Sequence, residues 1–333
     1  MNTPSPAPPQ SLRWGILGTG AIAKTFAAEL PFSETGRLVA VASRDSGRAS
    51  DFASTVGKVT AHGDYDQLLK DPDVDAVYVS TPHPFHAEWA TAALRAGKHV
   101  LCEKPLAMNL AEVEGLVEEA SRQQRFLMEA FMYRCHPRTA RVVELVKSGL
   151  IGRILLIEAS FSFAKAFDPE SRIFKPSLGG GGILDVGCYA MSVARLIAGA
   201  SHKAPFENPS RIQGAILPAP TGVDLVAAAT LKFDSGILAQ ISCGVGLSRD
   251  QDLVIHGENG RLRVPQFWNP PGVIHIESPG EVRTEPASGS PHKYAVEADV
   301  VAWALPDLES PHMSWADSLG NASALDAWLA APR

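Results

Sequence analysis

The sequence has few cysteines and no run of basic residues, and these shortages exclude several classes of protein. The 333 residues include four cysteines: Cys102, Cys135, Cys188 and Cys243. Their spacing matches neither a zinc site nor a dense disulfide framework, which suits a reducing compartment. Lysine and arginine total 30 against 36 aspartate and glutamate, for a net charge of −6. Because neutralising phosphates requires clustered basic side chains, we expect no nucleic-acid partner.

Long apolar runs are also missing. No window reaches the roughly 18 uninterrupted apolar residues of a membrane-spanning helix. The first residues, MNTPSPAPPQ, are rich in proline and have neither the basic start nor the apolar core of a secretory signal. We therefore expect a disordered tail over residues 1–11 and a cytoplasmic protein with no membrane partner.

The first part of the chain alternates short apolar runs with amphipathic stretches. The predicted strands are 14–17, 38–42, 76–80, 99–102 and 126–129, and the predicted helices between them are 22–30, 47–56, 64–69, 85–96 and 110–123. Strands that are apolar on both faces and alternate with helices are typical of a parallel sheet covered on both sides. We predict an α/β protein with a doubly wound, Rossmann-type nucleotide-binding domain over residues 12–130.

The second part, residues 131–333, has a different rhythm. The pattern predicts a helix at 137–148, a long strand at 153–163, a helix near 186–198, several strands within 211–285, and helices from 293 to the end. Successive strands separated by turn sequences favour an antiparallel arrangement. We predict an α+β domain with a largely antiparallel, open-faced sheet for substrate binding and oligomerisation, with the last helices packing back on the first domain.

A glycine motif stands between the first strand and the first helix. In WGILGTGAIA the first glycine, Gly18, makes the tight turn, Gly20 lets a pyrophosphate approach the backbone, and the small Ala23 lets helix and strand pack. The start of the helix supplies free N–H groups to phosphate oxygens. The predicted phosphate-binding turn consists of Gly18, Thr19, Gly20, Ala21 and Ile22.

The end of the second strand decides between NAD and NADP. Ser43 occupies the position where an NAD site carries an acid for the ribose 2′-hydroxyl, and Arg44 and Arg48 follow it. Guanidinium groups bind phosphate in a bidentate manner, which favours the 2′-phosphate of NADP(H). The neighbouring Asp45 is the alternative, as an acid that could contact a ribose.

Two further segments follow the fourth and fifth strands, whose carboxyl ends should lie at the ligand-binding edge of the sheet. They contribute the remaining predicted cofactor contacts: Ser80, Thr81, Pro82, His83, His86, Glu103 and Lys104. His83 and His86 also have the HxxH spacing of a metal pair. No third ligand is evident, so we predict no metal and interpret both histidines as cofactor contacts or helix-start residues.

The stretch SLGGGGILDVGCYAM contains four consecutive glycines, Gly179–Gly182, followed by Asp185 and Tyr189. The glycines alone would fit a flexible hinge or a second phosphate loop. In a helix, however, Asp185 and Tyr189 would share one face. A tyrosine can act as an acid/base when a nearby cation lowers its pKa from about 10. We predict that Lys104 does this for Tyr189, and that Asp185 positions the substrate hydroxyl or tunes the pair.

These motifs together resemble the Gfo/Idh/MocA family of oxidoreductases. The resemblance lies in GTGAIA, in Glu103-Lys104-Pro105, in the glycine run leading to Asp185-x-x-x-Tyr189, and in the C-terminal stretch from HKYAVEADVV onwards. The segments TPHPFH, LCEKPLAMN, EAFMYRCHPR and GGGGILDVGCYAM are similar to the branch of dimeric dihydrodiol dehydrogenases and NADP-dependent D-xylose dehydrogenases. Many family members have histidine in place of Tyr189, which favours this branch.

The resemblance implies a site and an assembly. It implies that Lys104 and Tyr189 are catalytic, and the Lys104–Pro105 peptide bond is often cis in relatives. It further implies substrate contacts from Met132, Phe161 and Trp268, although apolar residues of this kind are also common in cores. Arg172 could bind a substrate hydroxyl or pair with acids on the surface. The exposed face of the second sheet would form a homodimer or a dimer of dimers.

The implied reaction is NADP-dependent hydride transfer on a sugar or a diol. The substrate would be an aldose such as D-xylose or glucose, an anhydrosugar, or a trans-dihydrodiol. One alternative is a non-catalytic, NADP-binding sensor or regulator with the same fold. Another is a relative that cleaves glycosides with tightly held NAD, against which Ser43 and Arg44 argue.

Overall fold

The computed structural model describes residues 11–270 and 272–332. Nearly all of the tail predicted to be disordered, residues 1–10, lies outside the described residues. The described chain folds around two sheets, one of six strands and one of eight. The predicted α/β class, with a parallel sheet followed by a largely antiparallel one, is confirmed.

The first sheet is parallel throughout, in the order β3-β2-β1-β4-β5-β6. Its strands are β1 (Leu12–Leu17), β2 (Gly36–Ala42), β3 (Thr60–His62), β4 (Ala76–Val79), β5 (His99–Glu103) and β6 (Leu127–Ala130). The order reverses between β1 and β4, where a doubly wound sheet binds its ligand beyond the strand ends. The sequence analysis missed β3, because this edge strand has only three residues and no apolar run.

Five helices cover the first sheet. They are α1 (Ala21–Glu29), α2 (Ser46–Val56), α3 (Tyr65–Lys70), α4 (His86–Arg95) and α5 (Leu110–Gln123). The side chains of Asp45, Asp64 and Asn109 each accept a hydrogen bond from a backbone N–H in the first turn of the helix that follows. Such N-caps explain why α2, α3 and α5 begin where they do.

The second sheet has the order β14-β13-β12-β11-β7-β10-β9-β8. Its strands are β7 (Ile154–Ser162), β8 (Arg211–Pro218), β9 (Asp224–Lys232), β10 (Leu238–Gly244), β11 (Leu253–Gly257), β12 (Gly260–Val264), β13 (Val273–Ser278) and β14 (Glu281–Pro286). Of these pairings, that of β7 with β10 is parallel and the others are antiparallel.

The remaining helices join the two sheets. They are α6 (Met132–Cys135), α7 (Pro137–Lys147), α8 (Cys188–Ser201), α9 (Lys293–Ala304) and α10 (Trp315–Leu329). Helix α8 packs on β7 and β10, whereas α9 packs on α1 and α6. Helix α10 contacts α5 of the first domain and α8 of the second at once. The C-terminal helices therefore pack back across both parts of the chain.

One helical stretch of the described chain, Pro176–Ser201, is long and apolar enough to cross a membrane, with a mean hydropathy of 1.4. However, 94% of its most apolar window is buried inside the protein. Helix α8, which forms most of this stretch, has almost every residue buried. The apolar character is therefore explained by its position as the core helix under the second sheet.

Candidate active site

A cleft of about 940 Å³ opens at the point where the strand order of the first sheet reverses. It gathers residues from both parts of the chain. It is lined by Gly18, Thr19, Gly20, Ala21, Ile22, Thr25, Ser43, Arg44, Asp45, Arg48, Tyr65, Ser80, Thr81, Pro82, His83, His86, Glu103, Lys104, Arg172, Asp185 and Tyr189. All residues predicted to contact the cofactor, and the three predicted to be catalytic, thus lie on one surface.

The glycine turn has the geometry that a dinucleotide requires. Gly18 has a φ of +103°, and a Cβ atom there would lie 3.0 Å from the carbonyl oxygen of Ser80. A Cβ atom on Gly20 would meet nothing within 4 Å, so this glycine leaves the cleft open above it. Helix α1 begins at Ala21 without a side-chain cap, so its first N–H groups can bind an anion.

The loop between β2 and α2 fits a 2′-phosphate. The Asp45 carboxylate accepts a 3.0 Å hydrogen bond from the backbone N–H of Arg48 and thus caps α2. It is therefore engaged as a helix cap. Arg44 and Arg48 are exposed beside the small, buried Ser43. The guanidinium of Arg44 also lies 5.8 Å from the centre of the Phe85 ring.

One buried polar atom elsewhere in the cleft lacks a partner among the described residues. The hydroxyl of Thr81 is buried and makes no hydrogen bond to any described residue. A buried hydroxyl without a partner costs free energy, which a ligand in the cleft would recover. Together with the glycine turn and the two exposed arginines, this atom fits NADP(H).

The two histidines fix the loop after β4. Both ring nitrogens of His86 lie 2.8 Å from carbonyl oxygens, those of Thr81 and Pro105, and burial lowers its pKa to about 4. His83 contacts the carbonyl oxygen of Gly179 at 3.1 Å, and burial lowers its pKa to about 3. Burial thus opposes the charged form of both rings, whereas the two carbonyl oxygens beside His86 favour it. Within the described ranges, no group of three or more possible metal ligands occurs.

Lys104 follows β5 and points at the second domain. Its peptide bond to Pro105 is cis. The ammonium donates a 2.7 Å hydrogen bond to the carbonyl oxygen of Asp185 and lies 3.8 Å from the Asp185 carboxylate. Burial opposes the charge of Lys104, but the acidic groups Asp185, Cys188 and Glu103 together outweigh burial and raise the pKa of the lysine. Lys104 is therefore an ammonium ion at neutral pH.

Asp185 contacts the other charged groups of the site. Its carboxylate accepts a 3.1 Å hydrogen bond from Arg172, and the ring of His83 lies 3.8 Å away. Burial alone would raise the pKa of Asp185, but Lys104 and Arg172 hold it below its ordinary value. Asp185 lies in a π-helical turn, Ile183–Gly187, and α8 begins only at Cys188. The regular helix expected from residue 186 is thus widened next to the site, a form that is frequent at functional positions.

Tyr189 is buried at the inner end of the cleft. The ammonium of Lys104 lies 5.2 Å from the centre of its ring, and its hydroxyl lies 3.4 Å from the sulfur of Met132. We expected Lys104 to lower the pKa of this phenol. In the structure the pKa is well above 10, because burial dominates and the nearby acidic groups Tyr294, Glu103 and Glu297 add to it. The expected direction is therefore wrong: Lys104 faces the ring of Tyr189 and bonds to Asp185.

The four glycines form a tightly packed segment. A Cβ atom on Gly180 would lie 2.7 Å from the carbonyl oxygen of Ile173, and one on Gly181 would lie 2.1 Å from the Asp224 carboxylate. Gly181 also has a φ of +109°. These contacts favour a close approach of backbones over the hinge that the sequence alone allowed.

The predicted substrate residues separate into two groups. Arg172 lines the cleft, whereas Phe161 and Trp268 stack on each other 5.4 Å apart and pack edge-on against the Tyr189 ring. Trp268 is fully buried and donates a hydrogen bond to the carbonyl oxygen of Ser160. Met132 is also buried and contacts the Tyr189 hydroxyl. The three apolar residues therefore support Tyr189 in this structure.

Sequence reasoning missed the partners of Glu103. This carboxyl is buried and accepts a hydrogen bond from the Tyr78 hydroxyl, and burial raises its pKa. Tyr78 lies in β4, whose four residues are all buried and read as an ordinary apolar strand. The register of β4 beside β5 brings the two groups together, and nothing in the local pattern marks it.

Two family models match the chain. Residues 12–131 match the oxidoreductase family with an NAD-binding Rossmann fold, GFO_IDH_MocA, and residues 139–263 match the GFO/IDH/MocA C-terminal domain. The trans-1,2-dihydrobenzene-1,2-diol dehydrogenase of Danio rerio is 36% identical over 267 residues, 79% of this chain and 78% of that protein. The D-xylose 1-dehydrogenase (NADP(+)) 2 of Haloferax volcanii is 34% identical over 321 residues, 95% of this chain and 96% of the relative.

A solved structure extends the likeness. A 3-ketoreductase from Actinomadura kijaniata, crystallised with NADP and TDP-benzene, superposes with a TM-score of 0.88 at 30% identity, covering 97% of this chain and 98% of that one. The same reductase has also been crystallised with a lysine replaced by alanine or glutamate and with a tyrosine replaced by phenylalanine. The fold, the NADP-type cleft and these relatives agree, and the chain belongs to the Gfo/Idh/MocA family as an NADP-dependent oxidoreductase.

Proposed function

We propose that this protein transfers a hydride between NADP(H) and the hydroxyl- or carbonyl-bearing carbon of a sugar or a diol, with Lys104 and Tyr189 managing the proton. The observation that carries the proposal is that the Lys104 ammonium lies 5.2 Å from the centre of the Tyr189 ring in the cleft that starts at the glycine turn. A cation beside a phenol, next to a nucleotide site, suits proton transfer coupled to hydride transfer.

Tyr189 is the proposed acid/base. Its hydroxyl contacts the Met132 thioether, a weak acceptor, so a substrate oxygen could replace this contact at little cost. Because the pKa of Tyr189 is well above 10, the phenol carries its proton at neutral pH. This state is suited to protonating the oxygen of a carbonyl substrate during reduction. In the opposite direction the phenolate would be needed, and Lys104 would stabilise it.

Lys104 and Asp185 are proposed to hold the reacting oxygen. One N–H of Lys104 is bonded to the Asp185 carbonyl oxygen, which leaves two donors for the substrate oxygen or for Tyr189. The Asp185 carboxylate is held ionised by Lys104 and Arg172 and can accept a hydrogen bond from a substrate hydroxyl. Arg172, which also lines the cleft, would bind a second hydroxyl.

The cofactor supplies the hydride when it is bound. We assign its pyrophosphate to Gly18, Thr19, Gly20, Ala21 and Ile22, and its 2′-phosphate to Ser43, Arg44 and Arg48. Ser80, Thr81, Pro82, His83, His86 and Glu103 would contact the rest of the molecule. This assignment rests on the glycine geometry, on the uncapped α1 and on the unpartnered Thr81 hydroxyl.

The proposed substrates are D-xylose, glucose, an anhydrosugar or a trans-dihydrodiol. The charged groups at the inner end of the cleft suit a molecule with several hydroxyls, and the named relatives act on a xylose or a dihydrodiol. Met132, Phe161 and Trp268 would set the rear wall through Tyr189. Turnover with NADPH and NADP over a panel of these compounds, repeated with NADH and NAD, tests the proposal. Saturable NADPH binding with no oxidation or reduction of any compound would contradict it.

We also propose a homodimer through the exposed face of the second sheet. This face carries small and polar side chains such as Ala228, Thr230 and Gln240 around a depression of about 590 Å³. A sheet face of small and neutral polar side chains, with the charged Glu158, Arg249, Asp250 and Asp252 also lining the depression, is suited to pairing with a second copy. Light scattering after gel filtration should report twice the mass of one chain. For Thr230→Arg it should report the mass of a single chain. A monomeric wild-type protein would contradict this assembly.

A further inference from the structure

His83 contacts both ends of a segment of the second domain. The segment runs from Arg172 to Gly179 and contains two short 3₁₀ turns, Arg172–Phe174 and Pro176–Leu178. Nδ1 of the His83 ring lies 3.1 Å from the carbonyl oxygen of Gly179, and Nε2 lies 3.4 Å from the guanidinium of Arg172. His83 itself follows β4, in the first domain. One ring therefore joins the loop after β4 to the segment that carries a proposed substrate contact.

The donors and acceptors around the ring fix its tautomer. A guanidinium has N–H donors and no acceptor, so Nε2 faces Arg172 with its lone pair. A carbonyl oxygen only accepts, so Nδ1 carries the proton and donates it to Gly179. The Asp185 carboxylate would favour a proton on Nε2 instead. However, it lies 3.8 Å from Nε2, beyond hydrogen-bond distance, and already accepts a bond from Arg172 at 3.1 Å.

The close approach of His83 to this segment depends on the absence of a side chain at Gly179. This glycine has a φ of +65°, and a Cβ atom on it would lie 3.1 Å from the Cβ atom of His83. The His83 side chain is 6% exposed, whereas that of Arg172 is 38% exposed. The buried ring is thus held in place, and the more exposed guanidinium is the group that the ring orients.

Arg172 is held at two points of its guanidinium. Nη2 donates to the Asp185 carboxylate, and Nη1 donates to Nε2 of His83. One contact alone would let the planar group turn about it, whereas two contacts through different nitrogens restrict its orientation. These two bonds use two of the five N–H donors of an arginine, which leaves three for a ligand in the cleft that Arg172 lines.

We propose that His83 is a positioning residue that sets the orientation of the Arg172 guanidinium and thereby directs its free donors at one substrate hydroxyl. His83 acts from the domain that holds the cofactor, so the contacts to cofactor and substrate are fixed relative to each other. Because both ring nitrogens are engaged, the ring carbon atoms are what His83 offers to the cofactor. The inference rests on the proposed function only in assigning Arg172 to a substrate hydroxyl.

Two variants separate the two nitrogens of the ring. In His83→Asn the amide nitrogen takes the place of Nδ1 and keeps the bond to Gly179, but nothing reaches Arg172. In His83→Gln the amide oxygen takes the place of Nε2 and accepts from Arg172. We expect His83→Asn to raise KM for D-xylose, or for the panel compound turned over fastest, by about tenfold. His83→Gln should raise it by less.

The size of the other changes identifies the role. With His83→Asn, kcat and the affinity for NADPH should stay within about threefold of the wild type, because the lost binding is common to the bound substrate and the transition state. The exposed His202, which follows α8, supplies the control variant His202→Asn. A loss of NADPH affinity as large as the rise in KM would overturn the inference, since His83 would then act through the cofactor.

A double variant tests whether the effect passes through Arg172. Arg172→Ala should itself raise KM by about 10- to 100-fold, the value of a hydrogen bond to a charged group. Adding His83→Asn should then change KM by less than about twofold, because the group that His83 positions is gone. An equal effect of His83→Asn with and without Arg172 would refute the positioning role.

The tautomer is tested without a substrate. Nitrogen-15 NMR spectra of the histidine rings, assigned by the signals that His83→Asn removes, should show a proton on Nδ1 of His83 and none on Nε2. Arg172→Ala should shift the Nε2 signal of His83 and leave that of His202 unchanged. A proton on Nε2 in the wild type would indicate a pair with Asp185 and would overturn the inference. Absence of turnover would contradict the proposed function and still leave this measurement decisive.

Discussion

The ammonium of Lys104 donates its hydrogen bond to the backbone carbonyl of Asp185, 2.7 Å away, in the π-helical turn that precedes α8. This bond holds the lysine across the cleft, from the first domain to the second. It also keeps the charge 5.2 Å from the centre of the Tyr189 ring. A substrate oxygen that reaches both groups would complete the arrangement, so the effect of each side chain can be tested separately.

Tyr189→Phe should lower kcat by about 10²- to 10⁴-fold, because it removes the proposed proton donor. Folding should be little affected, because the lost hydroxyl has the Met132 sulfur as its hydrogen-bond partner among the described residues. Affinity for NADPH, followed by fluorescence titration, should stay within about threefold of the wild type, since this residue is not proposed to hold the cofactor phosphates. An exposed lysine variant, Lys147→Ala, controls for handling. Turnover of Tyr189→Phe at the wild-type rate would refute the role.

Lys104→Ala should also lower kcat, because it removes the ammonium that is proposed to hold the reacting oxygen. The variant removes a charge that Asp185 keeps ionised, and leaves Asp185 with Arg172 as its remaining close cation. We therefore expect KM to rise together with the fall in kcat. Steady-state rates over the pH range decide the matter, and an unchanged KM would assign Lys104 to the tuning of Tyr189 alone.

Arg44→Ala and Arg48→Ala should each weaken NADPH binding by about 10- to 100-fold, the value of a charge-assisted hydrogen bond of about 1.5–3 kcal/mol. Affinity for NADH should change far less, because this cofactor has no 2′-phosphate. Arg37→Ala, an exposed arginine of β2, is the matched control. Equal losses for NADPH and NADH would show that these arginines do not read the 2′-phosphate.

Glu129→Gln should stabilise the protein at pH 8 more than at pH 4. Burial raises the pKa of Glu129 from 4.5 to about 7. Below pH 4.5 the carboxyl is protonated in both folded and unfolded chains. Between these values only the unfolded chain ionises, so stability falls as pH rises and the loss is complete above about pH 7, at about 3 kcal/mol as an upper bound. The amide keeps an acceptor for the Leu106 N–H. Urea unfolding at both pH values measures the effect, and an equal change at both would contradict it.

Asp317→Ala should destabilise the fold by about 3–5 kcal/mol, the usual cost of removing one partner of a buried ion pair. The Asp317 carboxylate lies 3.1 Å from Arg134 and 2.6 Å from Arg195, all nearly inaccessible to solvent. Asp307→Ala, at an exposed position before α10, should change stability by less than about 0.5 kcal/mol. Thermal unfolding compares the two variants. Equal melting temperatures would show that the ion pairs of Asp317 do not stabilise the fold.

The parts of the site that depend on local sequence patterns could be predicted. The turn at Gly18, the position of Lys104 after a buried strand, and the arginines after Ser43 all follow from strand–turn–helix chemistry, and the fold placed them on one cleft. The pKa of Tyr189 could not be foreseen, because it depends on burial by Phe161 and Trp268, which are far away in sequence. Likewise Trp268 was predicted to contact the substrate, because the local sequence does not distinguish a residue that lines a pocket from a buried residue that packs behind one.

Other misses have similar causes. In the sequence Glu297 is one acid among others in a helix, and only the packing of α9 on α1 and α6 shows that it is buried without a hydrogen-bond partner among the described residues. The π-helical turn at Ile183–Gly187 follows a run of glycines whose conformation is set by contacts with Ile173 and Asp224. Both depend on tertiary neighbours, which a single sequence does not specify.

The run Gly179–Gly182, which resembles a flexible spacer in the sequence, is closely packed in this fold and leaves little space for larger side chains. Gly180 and Gly181 face atoms of other segments at distances that a methyl group could not keep, and Gly179 and Gly182 also have close neighbours. By contrast, a Cβ atom on Gly115 would meet nothing within 4 Å. We therefore expect substitutions in this run of glycines to be tolerated less well than a substitution at Gly115, although the run is the simplest stretch of the sequence. Inserting or deleting a glycine there would shift Asp185 and Tyr189 relative to Lys104 and so separate the two halves of the site.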